Sequence, residues 1–473
     1  MAIARKYILS VYEKSSVPIQ NLFSSTFGLR RCFLERRADL KTRLADLLET
    51  QWLDTASLKK IQSQKLRKLV KYAYEEIPFY RRLFDRHGLR PGQIRDLSDL
   101  PKIPLLSKEQ VKSHRDLLCA PAFPKKKVLH QATSGTTGSP LKLALNHSVL
   151  LAEWAWIWRH RTWGGYDLRT TWRAKSWRAT FGGHPIVPFE QKKPPFWRYN
   201  FPGKQIHFST YHMTRPNLSV YVEKLKAQKV RVIDGYPSTI FILAKFLRST
   251  GERLPMAAIF TGAEPLYFNQ RQVIEEALQC RVSDYYGLTE KVASAGECER
   301  HDGLHVTMED TIVEIISEGG RHTDGSKGEI VGTSLVNYAM PLLRYKTGDV
   351  SEYRAETCPC GRGLVLIEPV QTKVEDIITT EDGRFISASN LTYAFKPLSH
   401  IHESQIIQEN VDRVTVKIVA EDSFSDDDGA LLLRGLREKL GSQMHIEIKR
   451  VDQIPRTSTG KFRFTISKVP FEL

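Results

Sequence analysis

A chain of 473 residues is too long for one compact core, so two or more domains are expected. Its 41% hydrophobic and 26% charged residues suit a soluble globular protein, and without a run of about 18 apolar residues no membrane-spanning helix is expected. The net charge of +17 (70 Lys+Arg against 53 Asp+Glu) suits nucleic acid, a membrane surface or an anionic substrate, or else a solvated surface with a basic bias.

The first ten residues lack a continuous apolar core and do not read as a secretory signal. Six cysteines are too few for a disulfide framework at this length, which favours a reducing cytoplasm. Residues 1–120 read as helical. Within Lys60 to Phe84, Leu66, Leu69, Val70, Tyr72 and Ala73 fall at helical spacing until Pro78. The Pro-rich stretch from Leu100 to Lys108 reads as a connection.

From about residue 127 strands alternate with helices. Lys127–Ala132 runs into the loop Thr133–Lys142. Val230–Ile233 runs into 234–238 and a helix over 239–247. Ala257–Phe260 runs into 261–265 and a helix over 267–279, and Arg281–Tyr286 ends in 287–290. Such repetition predicts a largely parallel sheet with helices on its faces, and places ligands beyond the carboxyl ends of the strands. After Val350 the chain turns β-rich. A boundary near 373 precedes a unit of about 100 residues, a size at which a small α+β domain folds. Its expected elements are strands near 403–408 and 413–420, a helix over 427–441 and a strand over 444–450.

The loop Thr133-Ser134-Gly135-Thr136-Thr137-Gly138-Ser139-Pro140-Leu141, with Lys142, carries five hydroxyls, two glycines and a cation. Hydroxyls and free N–H groups suit phosphate oxygens, glycines permit close approach and lysine offsets charge. By itself it reads equally as a Ser/Thr-rich surface turn; its G-x-x-G spacing is not the Walker pattern.

Four more motifs follow: Thr261–Pro265 (TGAEP), Tyr285–Glu290 (YYGLTE), Arg344–Asp349 (RYKTGD) and Ile454–Lys461 (IPRTSTGK). In this order and spacing the set resembles the adenylate-forming superfamily, and the N-terminal sequence KLRKLVKYAYEEIPFYRRLFD resembles its phenylacetate–CoA ligase and CapK-like branch. The resemblance spans nearly the whole chain. It implies a large N-terminal α/β domain with mostly parallel sheets (1–120 its helical part, 121–373 its adenylating core) and a small mobile α+β C-terminal domain (374–473).

The implied reaction is attack of a carboxylate on ATP to give an acyl-adenylate and pyrophosphate. The acyl group then passes to CoA, or, in the CapK-type alternative, to an amine in polysaccharide or secondary-metabolite synthesis. By the same resemblance, Ser134, Gly135, Thr136, Thr137 and Gly138 with Lys142 hold the phosphates. Thr289 touches the α-phosphate, Glu290 ligates Mg²⁺ and Asp349 binds the ribose hydroxyls. Gly262, Ala263 and Glu264 face Asp284, Tyr285 and Tyr286 across the adenine, although Tyr285 and Tyr286 read also as core residues. Lys461 bridges carboxylate and α-phosphate, and Tyr236, Pro237 and Ser238 wall the substrate pocket. The family hinge Gly-Arg-x-Asp-Asp is replaced by Thr372-Lys373-Val374-Glu375-Asp376. Lysine is the poorer bidentate partner, which weakens the assignment of Lys373, Glu375 and Asp376.

Two cysteine-bearing segments remain. Cys298-x₂-His301-x₃-His305 and Cys358-Pro-Cys360-Gly361 offer three thiols and an imidazole, the ligand set of a structural Zn²⁺ site. His305, in strand-like sequence, is preferred to His301; buried free cysteines with surface histidines are the plainer alternative. Residues 151–215 hold eleven Lys/Arg against three acids and seven of the eight tryptophans. That segment fits a polar, anionic or sugar-derived acid, or core packing with a rim that attracts CoA. A basic glycan- or nucleic-acid-binding protein is the competing class. Glu290, Asp349 and Lys461 together favour the enzyme.

Overall fold

The computed structural model describes residues 11–133, 141–166, 176–317, 326–370, 376–398, 400–455 and 463–470. The chain begins with helices Val17–Arg36, Ala38–Thr50, Thr55–Glu76 and Pro78–Arg86. Asp54 caps the third, accepting a bond from the Ser57 N–H at 2.6 Å. That helix buries Leu66, Leu69, Val70 and Ala73, while Tyr72 is half-buried. Pro78 does not simply break it. Ile77 turns extended before the proline, and Pro78 opens the next helix, where its missing N–H costs nothing.

Strands β1 (Val128–Ala132) and β2 (Lys142–Asn146) pair antiparallel as a separate two-stranded sheet, so the segment at 133–142 joins a hairpin. The expected strand–turn–helix unit of the parallel sheet is not what forms there. The remaining strands of the large sheet are β3 (Arg178–Phe181), β4 (Trp197–Asn200), β5 (Gln205–Phe208), β6 (Val232–Gly235), β7 (Ala258–Gly262), β8 (Val282–Gly287), β9 (Ser294–Gly296) and β10 (Leu304–Val306). Three further strands, β11 (Thr311–Ile316), β12 (Gly328–Ser334) and β13 (Tyr345–Ser351), form an antiparallel sheet, and β14 (Leu366–Ile367) returns to the large one.

Among the described residues the large sheet runs β14-β10-β9-β8-β7-β6-β3-β5-β4. Its centre, β8-β7-β6-β3-β5, is parallel, and both margins are antiparallel. The strand–helix alternation is the expected one. Pro237–Ser249 follows β6 and Phe268–Leu278 follows β7, burying Ile240, Leu243, Ile274 and Leu278 against one face of the sheet.

Past residue 376, β15 (Ile378–Thr379) pairs β16 (Phe385–Ile386). Then β17 (Ile401–Asn410), β18 (Arg413–Ala420), β19 (His445–Arg450) and β20 (Thr465–Ser467) make a sheet ordered β19-β18-β17-β20. Helix Asp426–Leu440 covers it through Leu432, Leu436 and Leu440. These elements fall where the sequence pattern puts them. Tyr211 joins their apolar cluster, and the Arg384 guanidinium bonds the carbonyls of Lys439 and Leu440 at 2.8 and 2.9 Å.

Arg344 ties the helical N-terminal part to the β11–β13 sheet. It is 4% exposed and grips Glu314 with two bonds of 2.8 and 3.0 Å, while its remaining nitrogen donates to the Ile103 carbonyl at 2.7 Å. Arg344→Met strands a buried carboxylate and is expected to cost about 3–5 kcal/mol, read as a lower urea-unfolding midpoint. Adding Glu314→Met should recover part of that loss; a double variant as unstable as the single one would refute the pairing argument.

Candidate active site

A cavity of about 260 Å³ opens at the carboxyl ends of the parallel strands. Its wall includes Thr180 on β3 and Gly182 just past it, His207 and Phe208 on β5, Asp234 and Gly235 on β6 with Tyr236 after them, Gly262 on β7 with Ala263 after it, and Tyr285 on β8. Helix His147–Trp163 closes the other side with Ile157, His160 and Arg161. Five residues from two separate motifs and one expected wall therefore converge: Gly262, Ala263, Tyr285, Gly235 and Tyr236. Gly262 is obligatory, because a Cβ there would lie 2.5 Å from the Tyr285 ring. Ala263 is in the left-handed region at φ +67°. The Tyr285 ring also meets Trp156 edge-on at 5.5 Å, and burial lifts its hydroxyl pKa to about 12.

Past Tyr285, β8 ends in a turn bearing half-buried Thr289 and buried Glu290. The Tyr345 hydroxyl donates to Glu290 Oε1 at 3.0 Å, and the Tyr286 hydroxyl donates to Asp349 Oδ2 at 2.8 Å. Gly348, at φ +79°, turns β13 so that Asp349 follows. Tyrosines from β13 and β8 thus hold carboxylates from the opposite motif in each case. The sequence reading missed Lys108, at the start of helix Lys108–Ser113. Burial lowers its pKa, and Glu290, Glu109 and Asp349 oppose that shift. Its signal was the Ser107 capping box that opens the helix, which fixes where the lysine emerges but not what it faces.

Other expected residues sit differently. The Glu264 carboxylate accepts from the Ser238 N–H at 3.2 Å; burial raises its pKa, and bonds from Ser238, Ser389 and Ser387 oppose the rise. Asp284 accepts from the Thr261 hydroxyl at 2.5 Å; burial, aided by Glu297, holds its pKa well above the usual carboxylate range. Both carboxylates are thus engaged by neighbouring loops. Pro237 and Ser238 are buried at the start of their helix and are not part of the cavity wall. Lys142 is exposed at the start of β2. Asp376 accepts from the Arg463 guanidinium at 2.6 Å and the Ser467 N–H at 2.8 Å. Ser134, Gly135, Thr136, Thr137, Gly138, Lys373, Glu375 and Lys461 lie outside the described residues.

The ligating atoms of Cys298, His305, Cys358 and Cys360 lie within 4.8 Å of one another. The Cys298 and Cys358 sulfurs are 3.7 Å apart, and Cys360 Sγ is 3.4 Å from His305 Nε2. His305 Nδ1 faces the Leu364 carbonyl at 3.3 Å, leaving Nε2 toward the thiols. His301 is turned elsewhere, with Nδ1 2.8 Å from the Val282 carbonyl.

Much of the Trp/Arg-rich segment is interior among the described residues. Trp156, Trp158, Trp163 and Trp197 are buried, and Arg159, Arg161, Arg178 and Arg198 with them. Arg159 pairs with Glu309 at 2.6 Å; Arg161 and Arg178 share Asp234 at 3.1 and 3.2 Å. Trp163 lies between the Arg159 and Arg362 guanidiniums, at 5.2 and 4.8 Å. Core packing is the outcome for these residues. Among the described residues no helix is long and apolar enough to cross a membrane.

The CapK C-terminal domain family matches residues 378–468. Protein CapK of Staphylococcus aureus is 25% identical over 97% of this chain and 99% of its own length. Phenylacetate-coenzyme A ligases of Thermus thermophilus and Escherichia coli are 25% and 26% identical, each over 88% of this chain and over 97% and 95% of their own lengths. The fold is shared with a crystal structure of 2-hydroxyisobutyryl-CoA ligase in complex with 2-HIB-AMP and CoA (TM-score 0.54, 19% identity, 89% of this chain and 92% of that one). Along most of its length the chain is thus similar to CapK and to the phenylacetate–CoA ligases, and it shares the fold of 2-hydroxyisobutyryl-CoA ligase.

Proposed function

We propose that the chain is an AMP-forming ligase. A carboxylate oxygen attacks the α-phosphorus of ATP, the bond to pyrophosphate breaks, and the acyl-adenylate then passes its acyl group to CoA with loss of AMP. The observation that carries this reading is the grouping of Glu290, Asp349 and Lys108 past the end of β8, the strand that brings Tyr285 to the cavity, each carboxylate held by a tyrosine. Two anions must meet in the first step, so the work is charge neutralisation and positioning. Glu290 supplies the hard oxygen donor that Mg²⁺ requires, and the ion when bound offsets phosphate charge. Asp349 accepts from the ribose hydroxyls, and Gly262, Ala263 and Tyr285 form the nucleotide side of the cavity. Ser134 to Gly138, Lys142 and Lys108 grip the phosphates, Thr289 touches the α-phosphate, and Lys461 bridges the reacting oxygens. Residues 374–473 act as the mobile part, with Lys373, Glu375 and Asp376 at the hinge. CoA is the acceptor favoured by relatives named for that activity; the CapK-type domain at 378–468 supports an amine as the second reading.

Pyrophosphate release from ATP across a panel of carboxylic acids tests this directly. Lys461→Ala and Glu290→Gln should each lower the rate about 10²–10³-fold. Release from no acid, or variants equal to the parent, would sink the ligase reading. Adding CoA or amines to the same assay separates the acceptors.

We also propose a structural Zn²⁺ on Cys298, His305, Cys358 and Cys360. A tetrahedron with Zn–S of about 2.3 Å and Zn–N of about 2.0 Å has S–S edges of about 3.8 Å and S–N edges of about 3.5 Å. The observed 3.7 and 3.4 Å match both. The Leu364 carbonyl fixes the imidazole as such ligands require, and N–H groups of Arg300 and Arg362 approach the Cys298 and Cys360 sulfurs at 3.4 and 3.5 Å. Elemental analysis of protein purified without chelator should find about one zinc per chain. Cys358→Ser should lose the metal and lower the melting midpoint; metal-free parent protein with an unchanged midpoint would refute the site.

A further inference from the structure

In a parallel sheet covered on both sides, strands normally read as continuous apolar runs. Three strands here alternate instead. In β3, β5 and β6 the sequences are Arg178-Ala-Thr-Phe, Gln205-Ile-His-Phe and Val232-Ile-Asp-Gly. The register aligns Thr180 with His207 and with Asp234, and Arg178 with Gln205. Side chains two apart on a strand share a face, so these polar groups form one surface. Ala179, Ile206 and Ile233 face the opposite way, into the apolar core.

That polar surface floors the cavity. Thr180, Gln205, His207 and Asp234 all line it, with Arg161 above from the covering helix. The groups are already ordered. Gln205 donates to the Thr180 hydroxyl at 2.5 Å, and Arg161 and Arg178 bracket Asp234. Donors and acceptors are therefore fixed within one small chamber before any ligand arrives, on β6, β3 and β5, the strands next in the sheet after β7 with its Gly262.

We propose that the acid this site activates is a hydroxylated carboxylic acid, read through its hydroxyl groups by Thr180, Gln205, His207 and Asp234. The inference rests on the ligase reading above. An aryl or alkyl acid would offer this polar floor no hydrogen-bonding group in exchange for its hydration, whereas hydroxyls both donate to it and accept from it. A site built for hydroxyls rejects the analogue lacking them far more strongly than an apolar pocket rejects an extra methylene.

The test is pyrophosphate release from ATP with matched pairs: quinate against cyclohexanecarboxylate, glucuronate against tetrahydropyran-2-carboxylate, and mandelate against phenylacetate. In at least one pair the hydroxylated acid should exceed its partner about a hundredfold or more in kcat/KM. Gln205→Leu, and the near-isosteric Thr180→Val as the variant least disturbing to folding, should each shrink that ratio at least tenfold. The loss should fall on the hydroxylated member. Equal or faster turnover of the apolar partners, or a ratio unchanged in both folded variants, overturns the inference while the ligase reading stands. Release with none of the six acids, from protein that still binds ATP by equilibrium dialysis, overturns both the inference and the reading beneath it.

Discussion

Buried guanidinium–carboxylate pairs are the interaction on which the rest of the structure depends. Arg344 with Glu314 joins the N-terminal connection to the β11–β13 sheet, Arg159 with Glu309 joins the covering helix to the turn before β11, and Arg161 with Arg178 holds Asp234 in the lining of the cavity. Each links segments far apart in sequence. A pair of this kind adds little net stability over an apolar filling, yet removal of one partner is costly, so it fixes arrangement more than it adds strength. Arginine suits the task because its fork serves a carboxylate and backbone carbonyls together, as Arg344 does with Glu314 and Ile103.

The same pairs change the meaning of the net charge. A total of +17 with cations and tryptophans concentrated in one segment invites a surface reading, because charge usually lies outside. In the folded chain Arg159 and Arg161 of that segment are interior, each over a tryptophan ring and paired with an acid from elsewhere, and Arg178 and Arg198 are buried with them. Composition reports how many charges there are, and only tertiary pairing reports which are neutralised.

Much of the fold was legible. Strand–turn–helix alternation from 230 to 290 and the β-β-α-β run from 401 to 450 follow period and turn residues, which are local properties. The hairpin of β1 and β2 was not legible, because a strand ending in a Gly-rich loop looks alike whether it feeds a helix or returns on itself. The site was legible at Gly262, Ala263 and Tyr285, where motif and cavity coincide. It was not at Lys108 or Arg161, whose roles come from what packs against them across long sequence distances. Glu264 and Asp284 sit in motifs too, but their carboxylates are engaged by Ser238 and Thr261, a fact that spacing cannot convey.

The Cys/His cluster and the cavity are joined through one sheet. His301 faces the Val282 carbonyl at the start of β8, and Glu297, one residue before Cys298, accepts from the Asp284 N–H at 3.0 Å. Glu297 also takes the Arg271 guanidinium from the helix after β7. The turn that presents Cys298 therefore braces the middle of β8, whose far end carries Tyr285, Tyr286 and, past the strand, Glu290. A strand that must deliver a ring to the cavity, a hydroxyl to Asp349 and a carboxylate to the opposite tyrosine cannot slip by one residue without exchanging its faces. Fixing β9, β10 and β14 behind it through Cys298, His305 and the turn at Cys358–Cys360 gives that strand an edge that holds register. A zinc ion held there, as proposed, would serve the site mechanically, through the sheet, since none of its four ligands lines the cavity.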